Sequence, residues 1–347
     1  MKQRVYLIVS ALLFSSNIRA QQLNISRDFA LVQGGSDTIP ALVFHEDPSE
    51  YHEQLLVYQL SSFYISRTCV SVNEYAAFCK KLQKKMPPPP AWGWGDLKKP
   101  MVNVSYLDAL EYCHFLTDLW GVPVRLAAEA EWVYASFGGR FVNHLAGGYV
   151  VLADIDKYAA YQKNGNAADR PVCVTCKQPN TLGIYDMWGN VWEWVDGWFH
   201  MPGDTAVAGN RKMIIGGSFR SPREDMHSEN KLMQQQEYRA DDLGFRVVIA
   251  KQDWDRKLFL DKINGQIKKA YGENAPVYFA ADGISAGGKT ISWSDFTDMK
   301  VDNALKKVTV TGKNASVEWH YNTAQYNRIK QMQADFMKDV EVMLSNQ

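Results

Sequence analysis

"GIYDMWGNVWEWVDGW", residues 183–198, packs four tryptophans, one tyrosine and four polar side chains into sixteen positions. A half-buried strand alternates apolar and polar residues and a buried helix carries a stripe; this stretch does neither cleanly. Asp186, Glu193 and Asp196 interrupt the apolar run, and Gly189-Asn190 sets a turn in its middle. Taken on spacing alone, it is an aromatic core with solvated acids. The rest of the chain must say whether those acids have a task.

The 347 residues carry no formal net charge and are 46% hydrophobic, which allows one large core or one core with a smaller domain. Neutral balance and the lack of a long basic block leave no footprint for nucleic acid. Eleven tryptophans favour a compact, irregular, aromatic-rich core over a helical repeat. No solenoid period is visible.

Lys2 and Arg4, the apolar run from Val5 to Phe14, and Ile18-Arg19-Ala20 before Gln21 read as a signal peptide over residues 1–20. That run is too short to span a bilayer, and no later segment reaches about 18 apolar residues, so no membrane span is expected. The mature protein is expected to be periplasmic or secreted. With no Cys near the cleavage site, no lipid anchor is expected there.

Export places Cys69, Cys79, Cys113, Cys173 and Cys176 in an oxidising compartment. A bridge between Cys79 and Cys113 would tie two helical segments, and a local Cys173–Cys176 bridge is the other pairing considered. Spacing does not fix connectivity, and an odd count leaves one thiol over. "CVTC" has no second CxxC to complete a zinc site, and no strand-to-helix setting for a redox motif.

Along the chain, Phe29 to Phe63 reads as irregular strands, followed by two amphipathic helices (Val72 to Leu82, Tyr106 to Leu119). Between them Pro87 to Pro90 form a stiff extended connector. A short helix follows in "AAEAEWVYASFGG" (127–139), and "LGFRVVIA" reads as a buried final strand. Beyond Ala250 the style changes. Short strands lead to a last helix, capped by Thr323, with Ile329, Met332, Phe336, Val340 and Met343 on one face. The division is therefore a main domain over 21–250 and a small α+β domain over 255–347. "KTISWSDFTDMKV" and the helix after it are similar to bacterial pleckstrin-homology-like modules, a likeness too slight to imply a function.

Four blocks, in order, resemble the formylglycine-generating enzyme (sulfatase-modifying factor) family: "FYISRTCVSVNEYAAFC" (63–79), "PMVNVSYLDALEYCHFL" with "VRLAAEAEWVYAS" (100–136), "RPVCVTCKQPNTLGIYDMWGNVWEWV" (170–195), and "IIGGSF" with "LGFRVV" (214–248). The resemblance covers about 29–250. It implies an α+β fold, the enlarged C-type-lectin-like domain poor in regular secondary structure. It also implies structural Ca2+ in the opening turn, on the carboxylates of Asp186 and Glu193 and the backbone carbonyls of Gly189 and Val191. The chemistry is reasonable, since Ca2+ takes six to eight oxygens from a flexible turn and flanking tryptophans would wall it from water.

Enzymes of this family bind copper(I) through two cysteines after the Gly-Gly-Ser-aromatic block. Here Ser221 and Met226 stand at those positions. A hydroxyl and one thioether do not replace two thiolates, so no copper is expected. Ala127-Ala128 stand where the family usually has Pro-Thr. His52, His114, His200, His227 and His320 show no metal-ligand spacing. The charged excursion 220–242 is expected to be a variable surface loop suited to binding.

The resemblance then implies three functions. The first is a non-catalytic exported module that grips a protein partner, as relatives do in type VI secretion, either as regulators or as immunity-type proteins. The second is a periplasmic oxidative maturation enzyme of different chemistry, like the relative that matures pyoverdine without the copper cysteines. The third, a carbohydrate binder, rests on fold analogy alone.

Overall fold

A computed structural model of the chain describes residues 23–44, 51–139, 154–163, 170–197, 211–227 and 230–345. The expected signal peptide, Trp198 and His200 lie outside the described residues. One helical turn, α1 (Ile25–Asp28), leads into β1 (Phe29–Val32), the hairpin β2 (Gly35–Phe44) and β3 (Tyr51–Leu60), and β4 (Phe63–Ser66). Helices α2 (Val72–Lys81) and α3 (Tyr106–Trp120) follow. Each starts on a reciprocal capping box, Ser71 with Glu74 and Ser105 with Asp108, which satisfies two otherwise orphaned N–H groups. Helix α2 buries Val72, Tyr75, Phe78 and Cys79, the spacing of a single face. Gly121, in the left-handed region, closes α3.

The main domain continues through β5 (Arg125–Leu126), α4 (Glu129–Ser136), α5 (Ile155–Tyr158), β6 (Trp192–Trp194), β7 (Arg211–Ile215), β8 (Lys231–Gln235), β9 (Leu243–Phe245) and β10 (Val247–Ala250). Two four-stranded sheets result, ordered β1-β4-β10-β5 and β8-β7-β6-β9. Strand β6 holds β7 antiparallel and β9 parallel, so the opening stretch sits between the two "IIGGSF" and "LGFRVV" motifs. Helix α4 begins at Ala128 with no side-chain cap; the Glu131 carboxylate accepts the Ala128 N–H at 2.9 Å instead.

Three expectations need correction. The excursion 220–242 is not all loop: Lys231–Gln235 forms β8 and pairs with β7, Met233 opposite Met213. An edge strand tolerates polar residues because half of its surface stays wet. The structure pairs Cys173 with Cys176, and leaves Cys79 and Cys113 as free buried thiols. The helices they occupy are joined by rings instead, with Phe78 and Tyr112 centroids 5.3 Å apart. Thr323 does not cap the last helix; Asn322 caps a 3-10 turn, Thr323–Gln325, that precedes it.

The small domain comprises α6 (Lys251–Tyr271), β11 (Val277–Phe279), β12 (Gly283–Ala286), β13 (Lys289–Ser292), β14 (Phe296–Asp302), β15 (Lys307–Gly312), β16 (Ser316–His320) and α7 (Tyr326–Ser345). Its strands form two three-stranded antiparallel sheets. Ile329, Met332, Phe336, Val340 and Met343 of α7 are all buried in a core that includes Phe259, Phe279, Trp293 and Trp319. That core is separate from the two large clusters of the main domain. Helix α6 runs on directly from β10, and Trp254 near its start packs edge-on against Tyr64 of β4.

Candidate functional site

The turn in residues 183–198 is held from several sides. Gly189 has φ +70°, and a Cβ there would lie 2.2 Å from the Ala160 carbonyl oxygen, so only glycine lets these backbones approach. The Gly189 N–H donates to Gly216 O and the Asn190 N–H to Ala160 O, both at 2.7 Å. The Asn190 side chain accepts from Val172 N–H at 3.0 Å and returns its amide to Val172 O. The tryptophans wall this knot: Trp188 stands perpendicular to Trp132 at 5.4 Å, and the Trp194 indole donates to Val104 O at 3.0 Å.

Of the two carboxylates, Glu193 is 1% exposed and fully engaged. Arg246, 0% exposed, donates from Nε to Oε2 and from Nη2 to Oε1, each at 2.6 Å. Trp132 Nε1 donates to Oε2 at 2.8 Å, and Cys69 Sγ to Oε1 at 2.9 Å. Four donors use up a carboxylate's acceptor capacity. Arg246 spends its other N–H groups on Tyr185 O and Ser66 O. Burial, then the charge of Glu193, holds the Cys69 thiol well above its ordinary value, so it is no nucleophile. The structure thus commits Glu193 to a guanidinium, where sequence reasoning placed it on an ion.

Asp186 is the opposite case. It is 3% exposed and sits at φ 51°; neither carboxylate oxygen meets a donor in good hydrogen-bond geometry, although the Asn190 amide lies close enough to pull its carboxyl down. Burial pushes its carboxyl up to about 7, against the pull of nearby Arg246. A buried carboxyl in this state takes either a proton or a cation. Among the described residues no three His, Cys, Asp or Glu side chains gather to hold a metal, so any ion here would rely on backbone carbonyls. The full four-residue calcium set does not fit, because the Glu193 carboxylate is engaged by Arg246, Trp132 and Cys69.

Ser221 and Met226 both lie against Gly217. A Cβ on Gly217 would meet Met226 Cε at 2.6 Å and Ser221 Oγ at 3.4 Å. Neither is poised for chemistry. Ser221 Oγ accepts the Ser218 N–H at 3.0 Å, and Met226 is 0% exposed within an apolar cluster. Beside them the half-buried Trp92 covers the buried Phe219, and Arg220 is paired with Asp241. Trp92 meets Phe219 edge-on at 5.7 Å, Lys99 lies 5.9 Å above Trp92, and Arg220 stacks 4.6 Å over Phe219.

Sequence reasoning missed Arg246, Cys69 and Trp132 as partners of Glu193. One signal was present: an arginine inside the apolar run "LGFRVVIA" must be buried and needs a buried acid.

A family model, the sulfatase-modifying factor enzyme 1-like domain, matches residues 15–251. The serine/threonine-protein kinase pkn1 of Chlamydia caviae is 32% identical over 149 residues, 40% of this chain and 22% of that protein. The chain thus spans about a fifth of that relative's length. The chaperone protein LppX of Paenibacillus barcinonensis is 25% identical over 252 residues, 58% of this chain and 82% of the relative. The crystal structure of CarF superposes with a TM-score of 0.50 and 24% identity, covering 64% of this chain and 98% of that one. That likeness is one of fold. No helix among the described residues is long and apolar enough to cross a membrane.

Proposed function

The chain belongs to the sulfatase-modifying factor enzyme 1-like family, and from that premise we propose a non-catalytic, exported protein-binding module on the formylglycine-generating-enzyme scaffold. The observation that carries the reading is the state of the copper-ligand positions. Ser221 is spent on a backbone turn and Met226 fills the core, so neither offers a soft anionic ligand. The half-buried Trp92, with Lys99 above its ring, supports contact with a protein. A relative named as a chaperone supports the same class of partner. In an exported setting this fits a regulator or immunity-type protein of a type VI secretion system.

The test is oxygen consumption by the copper-loaded mature protein with a cysteine-containing sulfatase-type peptide. We expect no turnover above a protein-free control. Turnover would overturn the reading, and oxidation of a peptide-borne aromatic instead would favour the maturation enzyme.

The same turn is proposed to hold structural calcium on the Asp186 carboxylate, completed by the Gly189 and Val191 carbonyls and water. A buried carboxylate with no cationic side chain bonded to it supports this. An ion bound only by the native state raises its stability by mass action. Wild type should melt a few degrees lower in chelator, on the order of the shift 1 kcal/mol brings, and Asp186→Asn should melt alike with calcium and with chelator. Glu193 is unsuitable for this test, because removing it strands Arg246. Identical melting of the wild type after exhaustive chelation would reject calcium.

A further inference from the structure

A cavity of about 670 Å³ lies between α2, α3, β1 and β4, away from the Ser221–Met226 pair. Its floor is apolar and aromatic, formed by Phe29, Phe78, Tyr112, Phe115, Leu116 and Trp120. Its rim is charged and includes Arg67 and Lys81. Ala77, Lys81 and Leu119 are exposed, so the space opens to solvent. Protein interiors normally close to crystal-like density, and an opening of this volume with aromatic walls has the dimensions of a small-molecule site.

The walls cannot readily collapse into it. Both helices are fixed at their N-termini by capping boxes. Phe78 packs on Tyr112 at 5.3 Å and on Phe115 at 5.2 Å, while Phe29 meets Trp120 edge-on at 6.1 Å. The Trp120 indole N–H is buried without an acceptor, which leaves the wall short of one hydrogen-bond partner. The rim charges do not cancel evenly. Arg27 is paired with Asp28. Glu74 accepts from the Ser71 backbone and hydroxyl and keeps its negative charge, so Arg27, Arg67 and Lys81 against Asp28 and Glu74 leave the rim with a single excess positive charge. Arg67 spends its guanidinium on the neutral carbonyls of Leu182, Gly183 and Ser26, so its charge faces no carboxylate there. Lys81 has no ion-pair partner among the described residues.

We propose that this cavity binds an amphipathic monoanion of the long-chain fatty-acid class. The acyl body lies against the aromatic floor, and the carboxylate sits at the rim beside Lys81. An aliphatic chain gains from every apolar atom it removes from water, and a carboxylate at an exposed cationic rim keeps most of its hydration. The site is independent of the Ser221–Met226 region, so the proposal stands or falls apart from the protein-binding reading above.

The experiment titrates the full mature chain with dansyl-undecanoic acid, following fluorescence, and competes the probe with palmitate and with hexadecanol. Saturable one-to-one binding, displaced by palmitate, is expected. Ala77→Trp places an indole over the opening from an exposed helix position, and should weaken binding at least tenfold with unchanged circular dichroism and melting. Lys81→Glu should weaken palmitate several-fold and leave hexadecanol unchanged. Absence of saturable binding, or full binding by Ala77→Trp, would overturn the site. Equal loss of palmitate and hexadecanol in Lys81→Glu would overturn the assignment of the anion.

Discussion

Arg246→Met should cost the main domain about 3–5 kcal/mol, the penalty for stranding one member of a buried ion pair. The loss comes chiefly from what stays behind. Glu193 is 1% exposed and would keep only Trp132 and Cys69 as donors, too few for an ionised carboxylate away from water. Tyr185 O and Ser66 O would also lose their donor. Glu193→Met should be comparably costly, because it strands the guanidinium. The double variant should be less destabilised than the sum of the singles by roughly 2 kcal/mol or more, the signature of direct coupling. Urea unfolding of the four proteins measures this. A cost below about 1 kcal/mol for Arg246→Met would mean the pair is not the anchor of this core.

Phe336→Ala should be the most damaging single change in the small domain, at about 3–5 kcal/mol. The ring is 0% exposed and lies within 5.3–6.4 Å of Phe259, Phe279, Trp293 and Phe296, centroid to centroid. Its removal opens a cavity where α6, α7 and both small sheets meet, and flat rings relax poorly into such a space. Amide exchange by mass spectrometry reads the result region by region. Peptides from α7 and β11 to β16 should exchange far faster, while peptides within 183–197 stay protected, because the two regions bury their apolar side chains in separate clusters. Equal deprotection of 183–197 would show that the two cores unfold as one.

Much of the fold is legible in the amino-acid sequence. Ser71 with Glu74, and Ser105 with Asp108, announce helix starts through short-range hydrogen bonds that tertiary packing does not alter. The α7 stripe follows from helical geometry alone, since residues three and four apart share a face. The four motif blocks carry the fold, because their order and residues match one family. The polar edge strand β8 is not legible, because its pairing depends on β7, which precedes it across a long connection.

Sequence alone determined that residues 183–197 turn at Gly189-Asn190 inside an aromatic core, because glycine and asparagine favour the turn and the tryptophans are too large to leave exposed; that Asp186 and Glu193 are buried there, not solvated, came from the fold. It also determined that residues 221 and 226 supply a hydroxyl and a thioether and no thiolate, since ligand softness belongs to the side chain itself. Only the tertiary structure decided which charge each acid faces. Glu193 and Arg246 are 53 residues apart in sequence and meet because β6 runs beside β9, just ahead of Arg246. Asp186, seven positions before Glu193 in the same turn, receives no guanidinium and has only the Asn190 amide beside it. Electrostatic partnership depends on distance in space and on desolvation, and neither is a property of sequence spacing.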